Sequence, residues 1–240
     1  MTESYLCDGM TKLGIREQEE KAGILTEYMD LVLRRNQEVN LTAITAPEEF
    51  VKKHYMDSLA AAQLIQFKDA QTIMDLGTGA GFPGIPLAVC FPDKEFVLAD
   101  SLNKRIEIIR EFCDELGIDN VTAIHGRAEE LGRDPDLREH FDLCVSRAVA
   151  DLSVLAEYCL PFVKVGGWFV SYKGPDCERE VETAGYAIQK LGGEMVNIVK
   201  SGEGADTGHN LVLIQKMGPT PSTYPRRPGK PGKSPLRASK

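Results

Sequence analysis

The amino-acid sequence predicts an α/β protein with a doubly wound, mostly parallel β-sheet, a helical extension before the sheet and an antiparallel pair of strands at its end. Three observations lead to this prediction. Short apolar runs alternate with amphipathic stretches, a glycine-rich turn follows the first apolar run, and a glycine-rich loop instead of a helix joins two late apolar runs. Alternation of strand and helix is typical of a parallel sheet, because each parallel connection has to cross over the sheet.

The spacing of the apolar residues predicts the order of the elements. Five runs are predicted as parallel strands, at residues 72–76, 95–99, 121–125, 141–145 and 168–172. The stretches that follow the first, second, fourth and fifth of them are predicted as helices, at residues 84–90, 103–116, 151–160 and 177–191. Two later strands, at residues 195–200 and 211–216, are expected to pair antiparallel.

We expect three regions along the chain. Residues 1–66 form an N-terminal extension, with helices over residues 15–39 and 48–65. Residues 67–217 form the α/β core, which carries the ligand site. Residues 218–240 form a basic, proline-rich tail, for which the composition predicts a flexible or extended conformation.

The composition is that of an ordinary globular protein, with 42% hydrophobic and 27% charged residues. No apolar run approaches the roughly 20 residues that a membrane span needs. The start of the chain is polar and mixed in charge, unlike a secretory signal. None of the six cysteines belongs to a CxxC pair, so we expect reduced thiols in a cytoplasmic protein and no metal site.

Charge is distributed unevenly along the chain. The formal net charge is −8, yet from Lys216 onward there are seven basic residues and no acidic one. A basic tail on an acidic body is typical of a segment that binds nucleic acid.

The sharpest motif runs from Ile73 to Gly84 and reads Ile-Met-Asp-Leu-Gly-Thr-Gly-Ala-Gly-Phe-Pro-Gly. A strand end, a glycine-rich turn and a helix start follow one another, and in open α/β sheets a ligand lies beyond such strand ends. The last three glycines also spell the dinucleotide fingerprint, so a nicotinamide- or flavin-linked oxidoreductase is the alternative. Asp75 favours a cationic ligand over a pyrophosphate, and Pro86 removes an N–H group that would bind phosphate.

Two further places extend this candidate site. Asp100 ends the second strand, where a carboxylate can accept hydrogen bonds from both ribose hydroxyls of an adenosine. The same residue could instead be the N-cap of the next helix. Ala128 and Glu129 follow the third strand, and Glu129 could equally be an ordinary acid at a helix start.

The ordered set of motifs resembles one family of enzymes. The motif at Asp75 resembles the first motif of class I S-adenosylmethionine methyltransferases, which have a Rossmann-like fold. Around it occur Asn40-Leu-Thr-Ala-Ile, His54-Tyr-Met-Asp-Ser-Leu, Asp100-Ser-Leu-Asn-Lys-Arg, Gly126-Arg-Ala-Glu and Ser146-Arg-Ala. Together they look like the bacterial ribosomal RNA small-subunit methyltransferase G family, also called glucose-inhibited division protein B. The proline-rich basic tail is similar to the ending of family members.

The resemblance implies transfer of a methyl group from S-adenosylmethionine to N7 of one guanine in 16S ribosomal RNA, within the small ribosomal subunit or its precursor. We expect a monomer with no membrane partner. Arg147 is the candidate catalytic residue. The residues implied in cofactor binding are Asp75, Gly77, Gly79, Gly81, Phe82, Asp100, Ser101, Leu102, Ala128, Glu129 and Arg147.

Two motifs of other base methyltransferases are missing from the sequence. No Asn/Asp-Pro-Pro-Tyr/Phe motif follows the fourth strand, where enzymes that methylate exocyclic amines carry it. Enzymes that attack a pyrimidine with a cysteine usually carry a Pro-Cys pair, and no such pair occurs in this sequence. Guanine N7 has a free lone pair and no proton to remove, so positioning alone can suffice for its methylation.

Several alternatives stay open on the sequence alone. Arg147 could form a surface ion pair, and His54 and Asn40 could pack between helices. The cluster Lys52-Lys53-His54 could touch RNA or lie on a solvated helix face. A noncatalytic RNA-binding protein with a methyltransferase fold is a third class, against which the intact glycine loop argues.

Overall fold

The computed structural model describes residues 2–147, 150–201 and 208–238. Two parts of the sequence motifs lie outside these residues. They are Ala148 and Val149, which follow Arg147, and residues 202–207 of the glycine-rich loop.

Seven strands form one sheet in the described part of the chain. They are β1 (Thr72–Leu76), β2 (Glu95–Asp100), β3 (Val121–His125), β4 (Phe141–Arg147), β5 (Val163–Lys173), β6 (Gly193–Lys200) and β7 (Asn210–Lys216). Their order across the sheet is β3-β2-β1-β4-β5-β7-β6. The five predicted parallel strands pair in parallel, and β7 pairs antiparallel with both β5 and β6. The predicted fold class is confirmed.

The central strand β1 marks the point where the chain reverses its direction across the sheet. β2 and β3 extend the sheet on one side of β1, and β4 begins the other side. The loops after β1 and β4 therefore leave the sheet in different directions and open a crevice at its carboxyl edge. Asp75 is paired in register with Leu98 of β2 and Val145 of β4, so it sits at the base of that crevice.

Helices cover both faces of the sheet. They are α1 (Thr2–Lys12), α2 (Gln18–Asn36), α3 (Pro47–Phe50), α4 (Asp57–Leu59), α5 (Ile65–Asp69), α6 (Gly84–Cys90), α7 (Asn103–Leu116), α8 (Ala128–Leu131), α9 (Leu152–Cys159), α10 (Glu178–Lys190) and α11 (Lys230–Lys233). Side chains of β1 alternate between two cores: Ile73 joins the core under the N-terminal helices, and Met74 joins the core under α9 and α10. No helix among the described residues is long and apolar enough to cross a membrane.

The N-terminal extension differs from its prediction in two places. Helix α1 was not predicted, because only a few residues such as Leu6 and Met10 carry its buried face. The single helix predicted over residues 48–65 is instead interrupted by a π-helical turn at Val51–Met56 and a 3₁₀ turn at Ala60–Gln63. The main-chain oxygens of Lys53 and His54, inside the π turn, each lie 3.4 Å from Nη1 of Arg147. This contact with a distant strand is a tertiary influence that apolar spacing does not reveal.

The composition predicts a flexible or extended tail, and the described part of the tail makes contacts with the core that this prediction did not include. Its described residues pack on the core, and Pro225 and Pro231 are buried. Arg138 donates to the carbonyl oxygens of Thr220 and Tyr224, at 2.7 and 2.9 Å. Arg133 donates to that of Pro225 at 2.6 Å. Two arginines of the α/β domain thus provide the hydrogen bonds that a segment without a ladder or a long helix otherwise lacks.

Candidate cofactor-binding site

A cavity of about 480 Å³ opens at the carboxyl edge of the sheet. This volume is within the range of small-molecule sites. The lining includes eight of the residues predicted from the sequence, namely Gly77, Gly79, Phe82, Asp100, Ser101, Ala128, Glu129 and Arg147. The fold therefore brings predicted residues from the ends of four strands to one cavity.

Asp75 lies behind the glycine loop and does not line the cavity. Its Oδ2 accepts hydrogen bonds from Oγ1 of Thr78 at 2.7 Å and from the main-chain nitrogen of Gly84 at 2.8 Å. Burial raises the pKa of Asp75 to about 6. A carboxylate in this place holds the loop between strand and helix in shape. Direct contact of Asp75 with a cationic ligand, as the sequence suggested, is not what the geometry provides.

Gly77, Gly79 and Gly81 have φ angles of 75°, 64° and 98°, a region that side chains with a Cβ disfavour. A Cβ at Gly79 would meet no atom within 4 Å, so this glycine leaves open space along the cavity. A Cβ at Gly81 would lie 2.6 Å from the hydroxyl of Tyr28. Gly81 does not line the cavity, and its role is to let the loop pack against α2.

Asp100 is almost fully buried, and its carboxylate reaches the cavity. Oδ2 accepts from the main-chain nitrogen of Gly79 at 3.0 Å, and Oδ1 accepts from that of Leu102 at 2.9 Å. The helix after β2 begins at Asn103 with Leu102 in the cap position, so Asp100 is not its N-cap. Leu102 itself does not line the cavity, and 53% of it is exposed.

Glu129 lies at the start of α8 and is 4% exposed. Its Oε1 accepts a hydrogen bond at 2.8 Å from the main-chain nitrogen of Gly229, in the tail. Gly229 and Tyr158 line the same end of the cavity. The alternative interpretation of Glu129 was an ordinary acid at a helix start, which would be exposed to solvent. Its burial argues against that interpretation.

Arg147 forms an ion pair, as one interpretation of the sequence expected, and it also lines the cavity, as the other interpretation requires. Its Nη1 lies 2.8 Å from Oδ2 of Asp57, and its guanidinium also lines the cavity, 5.3 Å from the centre of the Phe82 ring. The other oxygen of Asp57 lies 2.7 Å from Nδ1 of His209. Burial alone would raise the pKa of Asp57, but the hydrogen bonds and charges of His209 and Arg147 outweigh it and leave the pKa below its usual value.

His54 belongs to the site, whereas Asn40 and the two neighbouring lysines are exposed. The imidazole of His54 stacks on Phe82 with a centroid distance of 4.4 Å and an angle of 6°. Its Nε2 lies 2.8 Å from Oγ1 of Thr42. Burial, followed by the charge of Arg147, lowers the pKa of His54 to about 4. The ring is therefore neutral at physiological pH.

Sequence reasoning did not select several residues that line the cavity, namely Leu41, Thr78, Arg105, Arg127, Tyr158 and Gly229. Thr78, Arg105 and Arg127 lie inside motifs that the sequence analysis identified, so their position in those motifs was a signal for a place at the cavity. Tyr158 and Gly229 carry no local signal, because the chain contacts that bring them to the cavity are distant in sequence.

No group of three or more histidine, cysteine, aspartate or glutamate side chains suited to hold a metal ion occurs among the described residues. All six cysteines have free thiols.

A family model described as rRNA small subunit methyltransferase G matches residues 21–210. The chain belongs to this family. It is 47% identical over 233 residues to the ribosomal RNA small subunit methyltransferase G of Alkaliphilus metalliredigens (strain QYMF), covering 97% of this chain and 98% of that one. It is 48% identical over 219 residues to that of Clostridium novyi (strain NT), covering 91% and 90%. The family suggested by the motifs is confirmed, and the oxidoreductase alternative is wrong.

Solved structures with low sequence identity share the fold. The O-methyltransferase TomG from Streptomyces achromogenes, in complex with S-adenosylmethionine, has a TM-score of 0.53 at 18% identity, covering 80% of this chain and 90% of that one. An O-methyltransferase from Bacillus cereus, in complex with S-adenosylhomocysteine, has a TM-score of 0.54 at 16% identity, covering 78% and 89%. These likenesses show the class I methyltransferase fold. With the family, they make the chain an S-adenosylmethionine-dependent methyltransferase.

The residues of the cavity fit this cofactor. The carboxylate of Asp100 ends β2 and can accept from ribose hydroxyls, and the guanidinium of Arg147 ends β4 and can pair with a carboxylate. One strand, β1, separates β2 from β4, so the ends of these two strands lie roughly 10 Å apart across the sheet. The open wall at Gly79 lies in the loop between them.

Proposed function

We propose that this methyltransferase transfers the methyl group of S-adenosylmethionine to N7 of one guanine in 16S ribosomal RNA. The observation that carries the proposal is a cavity that is lined by both the acceptor Asp100 and the cation Arg147, in a chain of this family. When bound, the cofactor supplies an electrophilic methyl group on its sulfonium.

The chain's own residues bind and orient the two partners. Asp100 accepts from the ribose of the cofactor, and the main chain at Ala128 and Glu129 borders its base. Arg147 pairs with the carboxylate of the cofactor or with an RNA phosphate, and Asp57 keeps the guanidinium in place. Phe82 is stacked with His54 beside Arg147 and offers an aromatic surface near the reacting end.

The choice of N7 is supported by the proton chemistry of this end of the cavity. Methylation of an exocyclic amine releases a proton, whereas attack by the N7 lone pair releases none. His54 is a titratable side chain that lies against both Arg147 and Phe82, and a pKa of about 4 makes it a poor proton acceptor. A site with this chemistry works by alignment and electrostatics.

The RNA partner is the small ribosomal subunit or its precursor. Exposed cations adjoin lining residues along the chain: Lys52 and Lys53 precede His54, Arg127 itself lines the cavity, and Lys230 follows Gly229. Such cations neutralise phosphates and hold RNA in register without reading its sequence. We propose that the enzyme acts in the cytoplasm. That it acts as a monomer stays a prediction, which light scattering on the purified protein would measure.

The experiment replaces the target guanine by 7-deazaguanine in reconstituted small subunits. The replacement exchanges the N7 lone pair for a C–H group and leaves the Watson–Crick edge unchanged. Binding should survive within about threefold, which corresponds to less than ~1 kcal/mol, and methyl transfer should vanish. Methylation that continues at that nucleotide refutes N7. Mass spectrometry of nuclease fragments of ribosomal RNA from cells with and without the gene locates the target guanine beforehand.

A further inference from the structure

The C-terminal tail follows a continuous path from the end of the sheet to the cavity. It leaves β7 at Lys216, whose buried Nζ donates to the carbonyl oxygen of Leu160 at 2.6 Å. The main-chain nitrogen of Thr220 then donates to Oε1 of Glu139 at 2.7 Å. Arg133 and Arg138 hold the carbonyl groups that follow. The tail therefore reaches the cavity as an anchored segment.

Arg226 fixes the tail to α9 immediately before it reaches the cavity. Its main-chain nitrogen and Nε lie 2.8 and 2.9 Å from Oε1 of Glu157, and its Nη2 lies 2.6 Å from Oε2. Glu157 is 0% exposed. A buried carboxylate that loses such a partner is left with an uncompensated charge, so the position of Arg226 is strongly determined.

Gly229 makes the next contact, three residues further along. Its main-chain N–H donates to Oε1 of Glu129, and the residue itself lines the cavity. Its φ angle of 77° belongs to the left-handed region, which lets the chain turn at this point without a side chain. Tyr158, next to Glu157 on α9, lines the same end of the cavity. Burial, followed by the charges of Glu129 and Glu157, raises the pKa of Tyr158 to about 12, so its hydroxyl stays protonated.

We propose that residues 226–229 of the tail are part of the cofactor-binding site, in which the Gly229 N–H positions the Glu129 carboxylate and the Arg226–Glu157 pair fixes Gly229 at the adenosine end. The inference rests on the proposed placement of adenosine near Asp100 and Glu129. Gly229 and Glu129 are 100 residues apart in sequence, and they close one wall of the cavity together. Arg226 and Gly229 then act as positioning residues that raise the affinity for the cofactor. This role is separate from any contact of the exposed tail cations with RNA.

The test compares two shortened chains with the full protein. One ends after residue 224 and lacks both Arg226 and Gly229; the matched control ends after residue 233 and keeps them. Calorimetry measures the affinity for S-adenosylhomocysteine and for 5′-methylthioadenosine, which shares only the adenosine end. We expect the first variant to lose tenfold or more in affinity for both ligands, as for a lost hydrogen bond to a charged group, and the control to stay within about twofold. Equal affinities of the two variants overturn the proposal.

A second measurement on the full-length protein covers the case in which the shorter variant does not fold. Peptide-resolved hydrogen exchange is recorded with and without S-adenosylhomocysteine. Because Gly229 borders the adenosine end, exchange of the peptide that contains residues 226–230 should slow severalfold when the ligand is bound. Unchanged exchange there, with slower exchange at the glycine loop, overturns the proposal and leaves the cofactor site in place. Absence of any binding to the full-length protein would instead count against the proposed function.

Discussion

Nη1 of Arg147 lies 2.8 Å from Oδ2 of Asp57, a carboxylate that is 1% exposed. The second oxygen of the same carboxylate lies 2.7 Å from Nδ1 of His209. A buried anion between two donors fixes the direction of the guanidinium, because any rotation of Arg147 would leave a charge without its partner. The cavity therefore contains a cation whose orientation is set before any ligand arrives.

Replacement of Arg147 tests this arrangement. Arg147→Ala should cut methyl transfer by about 100-fold, as expected for the loss of charge-assisted hydrogen bonds worth about 3 kcal/mol. Arg147→Lys should recover little of the activity, since an ammonium cannot reproduce a bidentate contact. Single-turnover assays measure the transfer, and circular dichroism checks the fold. Full activity of the alanine variant would make Arg147 a structural residue only.

Two glycines with similar backbones allow a matched test of the loop. Gly79 and Gly117 have φ angles of 64° and 63°, and a Cβ at either would meet no atom within 4 Å. Each change to alanine should lower the free energy of unfolding by about 1 kcal/mol because of backbone strain. Only Gly79→Ala should also weaken binding of S-adenosylhomocysteine, because Gly79 lines the cavity and Gly117 ends α7. Calorimetry that finds equal affinities for the two variants would remove this stretch of the loop from the site.

Asp75 should give the stability of the protein a characteristic dependence on pH. Burial raises its pKa to about 6, above the ordinary 3.8, so the folded state binds this proton more tightly than the unfolded state. The contribution of Asp75 to the free energy of unfolding should therefore fall as pH rises from 4 to 6, by about 3 kcal/mol, and stay constant above. Urea titrations of the wild type and Asp75→Asn should show a difference that changes over this interval. Parallel profiles would mean that the carboxyl titrates normally.

The exposed cations of the tail should contribute to RNA binding. A variant with Lys230, Lys233 and Arg237 changed to glutamine should bind 16S RNA more weakly and with a flatter dependence on salt, as expected when fewer phosphates are neutralised. Its affinity for S-adenosylhomocysteine should not change, because these side chains do not line the cavity.

The control for the tail carries the same change in charge elsewhere. Lys12, Arg179 and Lys190 are exposed and do not line the cavity, and their change to glutamine should leave the salt slope as it is. Equal slopes for the two triple variants would assign the tail cations another role.

The sequence predicted local features better than distant contacts. β1, β3, α6 and α7 have the predicted bounds, because short apolar runs and helical spacing report burial within one element. Gly79 and Asp100 were predicted at the cavity for the same reason: each ends or follows a buried strand. The bonds of Asp57 to Arg147 and of Gly229 to Glu129 were not predicted, since they join residues 90 and 100 positions apart. Composition alone predicted a flexible or extended tail and did not reveal that Arg133 and Arg138 hold it.

The π-helical turn at Val51–Met56 has a consequence for chain length. A π turn contains one residue more than the α-helical turn it replaces, while the helix on either side keeps its direction. One residue can therefore be lost from this stretch, at an exposed position such as Lys52, without moving Asp57 away from Arg147. The loss would be confined to the two carbonyl groups that approach the guanidinium from inside the turn. A single-residue gap in the middle of a helix, ordinarily a sign of a misaligned sequence, is physically acceptable in relatives at this position.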